Sequence, residues 1–325
     1  MKEIVLAADL GGTNLRMAAI DRDGVILYRT KRETPRGERA EDVLRAIIET
    51  SHECQDAMQN QGVVKAMAIA VPATINIEQG TLVNPPNLRA LSGFRLTDAL
   101  KDNLNLPIIL ENDANAAAVG EAWLGASKGF QSSICFTIGT GVGGGMLLNG
   151  KLWRGSTGTA AELGHVCVEP FGVPCGCGGH GCLEQYASAT AVTRIARELE
   201  HQYPKTMLKG VLRLTASEVY EAGKQGDELA LEVFRQQGFY LGIVVTALVN
   251  SLNPEIFVIA GGGAAGWDLF MPHVLEEVRS RSFRELPERT KIVRAALGDD
   301  AGILGAAKLA FEIETKQGVK SKSEG

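Results

Sequence analysis

Apolar positions recur along this chain with two different periods, and their order predicts its elements. Residues 5–21 read V-L-A-A-D-L-G-G-T-N-L-R-M-A-A-I-D, an apolar run, a Gly/Thr turn and a second apolar run. Residues 135–149 repeat that order as C-F-T-I-G-T-G-V-G-G-G-M-L-L-N, so that Asp9 matches Thr137 and Gly11 matches Gly139. Each segment predicts a β-hairpin whose turn carries no bulky side chain. A duplicated hairpin predicts two related α/β halves facing each other.

Between and after the hairpins, strand and helix patterns alternate. Val43, Ile47, Ile48, Cys54 and Met58 fall on one face of a helix over 41–59, and 63–71 is a short apolar strand closed by Pro72. A strand at 107–110 leads into Asn112-Asp113-Ala114-Asn115 and an alanine-rich helix over 116–124. Helices are expected over 183–202 and over 227–252, the second stopped by Pro254. A strand at 256–260 enters Gly261-Gly262-Gly263, and a helix follows over about 267–282. A last strand at 291–296 precedes a closing helix through Glu312, capped by Asp299 or Asp300. This alternation implies an α/β protein with parallel sheet content. Domains are expected at 1–115 and 116–299, with 300–314 packing back on the first and a disordered, Lys/Ser/Gly-rich tail at 315–325.

At 325 residues the chain holds two ordinary domains with sizeable cores. A net charge of −5 offers no basic surface to nucleic acid. No apolar run reaches the roughly 18 residues of a membrane span, and the first residues do not form a signal peptide. A cytoplasmic protein is expected.

The segment Cys175-Gly-Cys-Gly-Gly-His-Gly-Cys182 adds chemistry. Cys175, Cys177 and Cys182 are too close together for disulfides to serve all three, and a reducing compartment disfavours even one bridge. Gly176, Gly178, Gly179 and Gly181 let the sulfurs converge. A structural Zn²⁺ satisfies all three thiolates with one imidazole, from His165, which follows Glu162 at turn spacing, or alternatively from His180. Cys54, Cys135 and Cys167 read as buried small apolar residues.

Gly11-Gly12-Thr13 and Gly139-Thr140-Gly141 are turns of the kind that cradle phosphate, because glycine lets backbone N–H groups approach the oxygens and threonine adds a hydroxyl. Either turn alone reads as a plain hairpin, but the pair on related halves points to a nucleotide. Asp9 beside such a turn would repel phosphate unless a cation intervenes, which suggests Mg²⁺. One of Asn112 and Asp113 suffices to cap the alanine helix. The other is then free to work: Asp113 as a carboxylate accepting a proton from an attacking hydroxyl, and Asn112 holding a neighbouring one. Glu162 and Glu184 flank the cysteine knot, and acceptor-only groups suit a ligand made of hydroxyl donors.

These pieces, Asp9-Leu-Gly-Gly-Thr13, Glu111-Asn-Asp-Ala-Asn115, Ile138-Gly-Thr-Gly141, Glu162-Leu-Gly-His165, the cysteine knot and Ala260-Gly-Gly-Gly263, together resemble the ROK family of sugar kinases and repressors over nearly the whole chain. The resemblance implies the two-domain actin-like/hexokinase (ribonuclease H-like) ATPase fold with a cleft between domains. It implies ATP-dependent phosphorylation of a hexose at its 6-hydroxyl, with Asp113 as general base. Asn112, Asp113, Glu162, His165 and Glu184 would contact the sugar, with Asn87 of the Pro-Pro-Asn87 run as a further contact. The zinc ligands would be His165, Cys175, Cys177 and Cys182, and Gly261, Gly262 and Gly263 would lie against the adenosine end of ATP. A homodimer is the assembly such kinases suggest.

Glu184-Gln-Tyr-Ala-Ser188 resembles the glucokinase branch, whereas Pro72-Ala73 departs from the Pro-Gly that many members carry. N-acetylhexosamine kinase and fructokinase are the alternatives within kinases, and polyphosphate is an alternative donor. A sugar-responsive repressor would carry a helix-turn-helix ahead of the first hairpin, which starts here at residue 4. An actin-like ATPase without sugar chemistry would have no use for the knot and its two glutamates.

Overall fold

The structure, a computed structural model, describes residues 2–37, 39–76, 78–83, 85, 87–284 and 290–323, with side chains through Ile313. Two five-stranded sheets organise it, and they share one topology. In the first sheet, β3 (Ile26–Glu33), β2 (Asn14–Asp21), β1 (Lys2–Leu10), β4 (Gly62–Val71) and β7 (Ile108–Asn112) are neighbours in that order, the first two pairings antiparallel and the last two parallel. In the second, β10 (Lys151–Leu152), β9 (Val142–Leu148), β8 (Ser133–Ile138), β11 (Ile256–Ala260) and β12 (Lys291–Arg294) repeat both order and sense. The two hairpins read from the sequence are therefore β1–β2 and β8–β9 in equivalent places. Asp9 pairs with Arg16 and Ala70 while Thr137 pairs with Gly143 and Ala260, so the two residues occupy the same register.

On the first sheet, α1 (Ala40–Met58) and α2 (Leu96–Leu104) cover one face through Val43, Ile47, Leu96 and Leu100. The opposite face is built from Ala7, Ala18, Ala66, Ala68 and Ala70 and receives α9 (Ala301–Ser323) through Ile303, Ala306, Ala307 and Ala310. Small side chains on that face let a helix approach the sheet closely without leaving voids. The second sheet is covered on its outer face by α5 (Ala189–Leu199), α6 (Ala216–Lys224), α7 (Glu228–Leu252) and α8 (Trp267–Arg281).

Both α3 (Asp113–Leu124) and α9 lie between the sheets. Ala116 of α3 joins the alanine face of the first sheet, while Ala118 and Val119 pack with Cys135, Leu147 and Val258 of the second. The two helices cross on glycines: a Cβ at Gly305 would strike the Ala116 carbonyl oxygen, and one at Gly120 the Ala301 carbonyl oxygen. A domain boundary between 115 and 116 falls inside α3, the element that both halves share.

Four expectations are corrected. Helix α3 begins at Asp113 rather than 116, because Asn112 already caps it. The single helix expected over 183–202 is broken at Ser188 into α4 (Glu184–Ala187) and α5, followed by a 3₁₀ turn (Glu200–Gln202). Ser188 caps α5 by accepting the Ala191 N–H at 3.0 Å, and the break lets the Ala189 N–H reach the Gly139 carbonyl at 2.8 Å. Asp299 and Asp300 form a 3₁₀ turn (Gly298–Asp300) without a side-chain cap on α9, and Asp300 instead accepts from Arg29 at 2.9 Å. Finally, the backbone expected to be a disordered tail from Thr315 continues as helix to Ser323.

Candidate active site

Asn112 ends β7 and caps α3, its Oδ1 accepting the N–H groups of Ala114 at 2.9 Å and Asn115 at 3.1 Å. The cap requires only Asn112, which leaves Asp113 in the first helical position with its Oδ1 accepting the Ala114 N–H at 2.8 Å. Burial pushes the Asp113 carboxyl up to about 6; the Ala114 N–H opposes this, and the charges of Asp9 and Glu162 add to it. Those two neighbours come from the first hairpin and from the turn leading to the knot. Asp113 therefore sits where the two predicted halves of the site meet.

Asn112, Asn115 and Glu162 line one cleft with Ala73, Thr74, Gly143 and Gly144. The Asn112 Nδ2 donates to the Ala73 carbonyl at 3.5 Å. Ala73 is absent from the residues with positive φ, so its methyl brings no backbone strain there. Asn87 lies elsewhere: it is exposed, and a Cβ on Gly12 would come within 2.6 Å of its own Cβ. It lines a second open cleft of about 490 Å³ with Gly12, Arg36 and Arg89.

The two hairpin turns present free donors. In the first, the Gly11 N–H is spent on Asn14 at 2.9 Å and the Thr34 hydroxyl donates to the Gly11 carbonyl at 2.7 Å, while the N–H groups of Gly12 and Thr13 have no partner among the described residues. In the second, Gly139 N–H bonds the Gly141 carbonyl at 2.9 Å, and those of Thr140 and Gly141 have no partner among the described residues. Paired free amides at a tight turn form an anion-binding concavity. Arg16 holds the Asp9 carboxylate across the strand pair, so a cation already stands at the residue for which the sequence suggested Mg²⁺. The glycine triplet lies against the second turn, since a Cβ on Gly261 would strike the Ile138 carbonyl and one on Gly263 the Ile138 side chain. Gly261 has φ +86°, open only to glycine without strain.

The knot closes as a four-ligand set. One ligand atom each from His165, Cys175, Cys177 and Cys182 lies within 4.8 Å of all the others. His165 Nδ1 is 3.6 Å from Cys175 Sγ, and the Cys177 and Cys182 sulfurs are 3.6 Å apart. Tetrahedral zinc with ordinary Zn–S and Zn–N bonds puts its ligand atoms about 3.5–3.8 Å from one another, so the donor set fits that ion. His180 is exposed on the Pro174–His180 bridge outside this set, which resolves the choice of imidazole. Cys54 and Cys135 are buried as expected, but Cys167, paired with Cys182 in an isolated bridge, is exposed.

His165 is aimed by a strained approach. Ala161 has φ +68°, and the 3₁₀ turn Leu163–His165 follows it. A Cβ at Gly164 would strike the Val142 carbonyl, so the turn lies directly on the end of β9. Glu184 reaches the same place from the other side of the knot, its Oε2 accepting the Val142 N–H at 3.0 Å.

Three supporting residues escaped the sequence reading. Glu111, nearly fully buried, accepts from Asn112 N–H and Asn115 Nδ2 at 3.0 Å each and pairs with Arg154 at 2.7 Å. Glu121, fully buried, accepts from the N–H groups of Ala126 at 2.7 Å, Ala296 at 3.1 Å and Leu297 at 2.8 Å. Arg16 is the third. Their partners are 43, 175 and 7 positions distant, so no local pattern announced Glu111 or Glu121, and only the strict register of the hairpin could have paired Arg16 with Asp9.

A family model described as ROK family matches residues 5–313. The chain belongs to the ROK family. A glucokinase of Thermotoga maritima is 36% identical over 312 residues, covering 95% of this chain and 97% of that protein. The ROK hexokinase of Thermus thermophilus superposes with a TM-score of 0.82 at 30% identity, over 97% of this chain and 99% of that one. A ROK glucokinase of Streptomyces griseus, solved with glucose and AMPPNP, gives a TM-score of 0.75 at 33% identity, over 95% and 99%. The fold is thus the α/β, two-domain actin-like architecture of ROK sugar kinases, with α3 and α9 as its shared seam.

Proposed function

We propose that this ROK protein is an ATP-dependent glucokinase that transfers the γ-phosphate to the 6-hydroxyl of glucose. The observation that carries the reading is the position of Asp113, under the charge of Asp9 from one phosphate hairpin and of Glu162 from the turn that leads to His165. The similarity to glucokinases over nearly the full chain supports glucose as the first sugar.

Asn112 and Glu162 orient the sugar in the cleft they line, with His165 and Glu184 at its knot side. Asp113 accepts the proton of the attacking hydroxyl. Transfer of this kind passes through a loose transition state, so orientation and charge neutralisation contribute more than base strength. The free N–H groups of Gly12, Thr13, Thr140 and Gly141 face the phosphates, and Gly261, Gly262 and Gly263 the adenosine end. Mg²⁺, when bound, neutralises phosphate charge, and Asp9 is an oxygen donor suited to it. Zinc on His165, Cys175, Cys177 and Cys182 fixes the tautomer and aim of His165. Closure about the α3–α9 seam excludes water that would take the phosphoryl group.

Among the described residues no helix is long and apolar enough to cross a membrane. A homodimer is the proposed assembly: Phe171, 98% exposed on the knot, is an apolar side chain for a second copy to cover. Sedimentation of the purified protein checks it.

A panel of glucose, mannose, fructose, N-acetylmannosamine and N-acetylglucosamine with ATP, read as kcat/KM, tests the substrate. Glucose should give the highest ratio. A higher ratio for an N-acetylated sugar would overturn glucose, and ATP hydrolysis indifferent to every sugar would overturn the kinase.

A further inference from the structure

Cys167, read from sequence as a buried apolar residue, is an exposed thiol with no hydrogen-bond partner among the described residues. It stands opposite Cys182 in an antiparallel bridge. The Val168 N–H donates to the Gly181 carbonyl at 2.8 Å and the Leu183 N–H to the Val166 carbonyl at 2.9 Å. These bonds flank the cysteine pair and do not join its two members. Cys167 and Cys182 are thus a non-hydrogen-bonded pair, the kind whose Cα atoms lie about 4.5 Å apart with both side chains on one face. Disulfides span Cα separations from about 4.4 Å upward. A change of χ1 between staggered wells is then enough to bring the Cys167 sulfur to its neighbour.

Cys167 is not one of the four clustered ligands, and Cys182 is. With zinc bound, the knot sulfurs are engaged by the metal while Cys167 remains a free thiol open to solvent. We infer that Cys167 is a redox modification site, at which peroxide oxidation ends in a Cys167–Cys182 disulfide that opens the zinc clamp. The inference rests on the zinc reading of the knot.

In the first step hydrogen peroxide transfers one oxygen to the Cys167 sulfur, giving a sulfenic acid and one water. In the second, the Cys182 sulfur attacks the Cys167 sulfur. The S–O bond breaks as the S–S bond forms, and the oxygen leaves as water after taking up a proton. The Cys167 thiol and the zinc-held Cys182 thiolate lose two electrons in all, one proton comes from Cys167 and one from solvent, and one peroxide becomes two waters. Cys182 cannot serve both a disulfide and a metal, so three donors remain where a closed structural site needs four. Metal affinity falls, and His165 loses the partner that fixed its ring. Bridges in a reducing compartment are characteristically transient and redox-sensing, which suits a switch on a sugar-phosphorylating enzyme.

The test treats the zinc-loaded protein with hydrogen peroxide and follows zinc with a chromogenic chelator, alongside peptide mapping without reductant. Wild type should lose its zinc and yield a peptide linking Cys167 to Cys182, and dithiothreitol with added zinc should reverse both. Cys167→Ser should retain zinc through the same exposure while keeping the untreated kinase rate. Zinc loss from Cys167→Ser at the wild-type rate would overturn the inference, as would a peptide linking Cys177 to Cys182 instead. A reduced preparation that holds no zinc would reject the clamp itself, and the peptide map would still decide the disulfide.

Discussion

Glu184 and Val142 join the cysteine knot to the second phosphate turn: the Glu184 carboxylate, two residues past Cys182, accepts the Val142 N–H at 3.0 Å immediately after Gly139-Thr140-Gly141. The Val142 carbonyl meanwhile faces Gly164, one residue before His165, so closely that no Cβ fits between them. One residue of β9 is thereby held by both flanks of the knot. The turn that carries His165 and the Gly139-Thr140-Gly141 turn are tied through a single residue.

Glu184→Ala should break this link. A hydrogen bond to a charged acceptor contributes about 1.5–3 kcal/mol, so kcat/KM for ATP should fall about 10–100-fold at saturating sugar. Glu184→Gln, which keeps an acceptor oxygen, should recover most of the loss. Steady-state kinetics in which both variants match wild type would show that the link does not matter to turnover.

Asp113→Asn should lower kcat by about 10²–10⁴-fold, the range for a positioned proton acceptor, while calorimetry shows glucose binding little changed. The base is active only when ionised, and its carboxyl is pushed up to about 6 by burial and then by the Asp9 and Glu162 charges. Wild-type kcat/KM should therefore fall tenfold per pH unit below about pH 6 and level off above it. Stability has the opposite sign. A carboxyl whose folded pKa is raised costs stability once pH rises through its unfolded value, and the cost is complete above the folded value. Asp113→Asn should thus be up to about 2–3 kcal/mol more stable than wild type at pH 7, with the gain gone by about pH 3.5, as denaturant melts at the two pH values would reveal.

Cys177→Ser should abolish stoichiometric zinc, measured by atomic emission. Loss of a ligand or of ligand orientation in such sites costs about 10–100-fold, and glucose affinity should weaken by that factor through His165. The same shift should follow dialysis of wild type against a strong chelator. Full sugar affinity in zinc-free protein would separate His165 from the metal.

Glu121→Ala should be a stability variant. It leaves the N–H groups of Ala126, Ala296 and Leu297 without their buried acceptor, at a cost of about 3–5 kcal/mol. The midpoint of chemical unfolding should drop accordingly while KM for glucose in the folded protein stays within about twofold. A rise of about tenfold or more in that KM would mean that the α3–α9 seam also sets the site.

Local sequence carried the elements with strong period and punctuation. The two Gly/Thr hairpins, α1, β4, α7, β11 and α8 lie within three residues of the spans read from apolar rhythm, because these depend on neighbours at most four positions away. The convergence of the three knot thiols was legible for the same reason, since glycine-separated cysteines can turn onto one point, whereas the imidazole stayed open between His165 and His180 until the fold set His165 beside the sulfurs. Interruptions caused by distant partners were not legible. The break at Ser188 exists because Ala189 must reach Gly139, 50 positions back, and the apolar pattern of 183–202 is silent about that contact. Edge strands β3 and β10 and the ribbon of β5 (Thr74–Asn76) and β6 (Thr81–Val83) likewise owe their form to pairing, not to a period of their own.

The sequence by itself determined which groups the proposed chemistry of this ROK protein would use: two Gly/Thr turns, an acid on a helix start, and a cluster of thiols beside an imidazole, each written within a dozen or so residues. Tertiary structure decided how they meet. It gave Asn112 the cap and left Asp113 free, set Arg16 on Asp9, moved Asn87 to the flank of Gly12, exposed Cys167, and buried Glu111 and Glu121 as anchors. A side chain's type follows from the codon, but its burial, charge partners and hence its proton affinity depend on segments brought beside it by packing, and those lie as far as 271 positions away, as Asp300 does from Arg29.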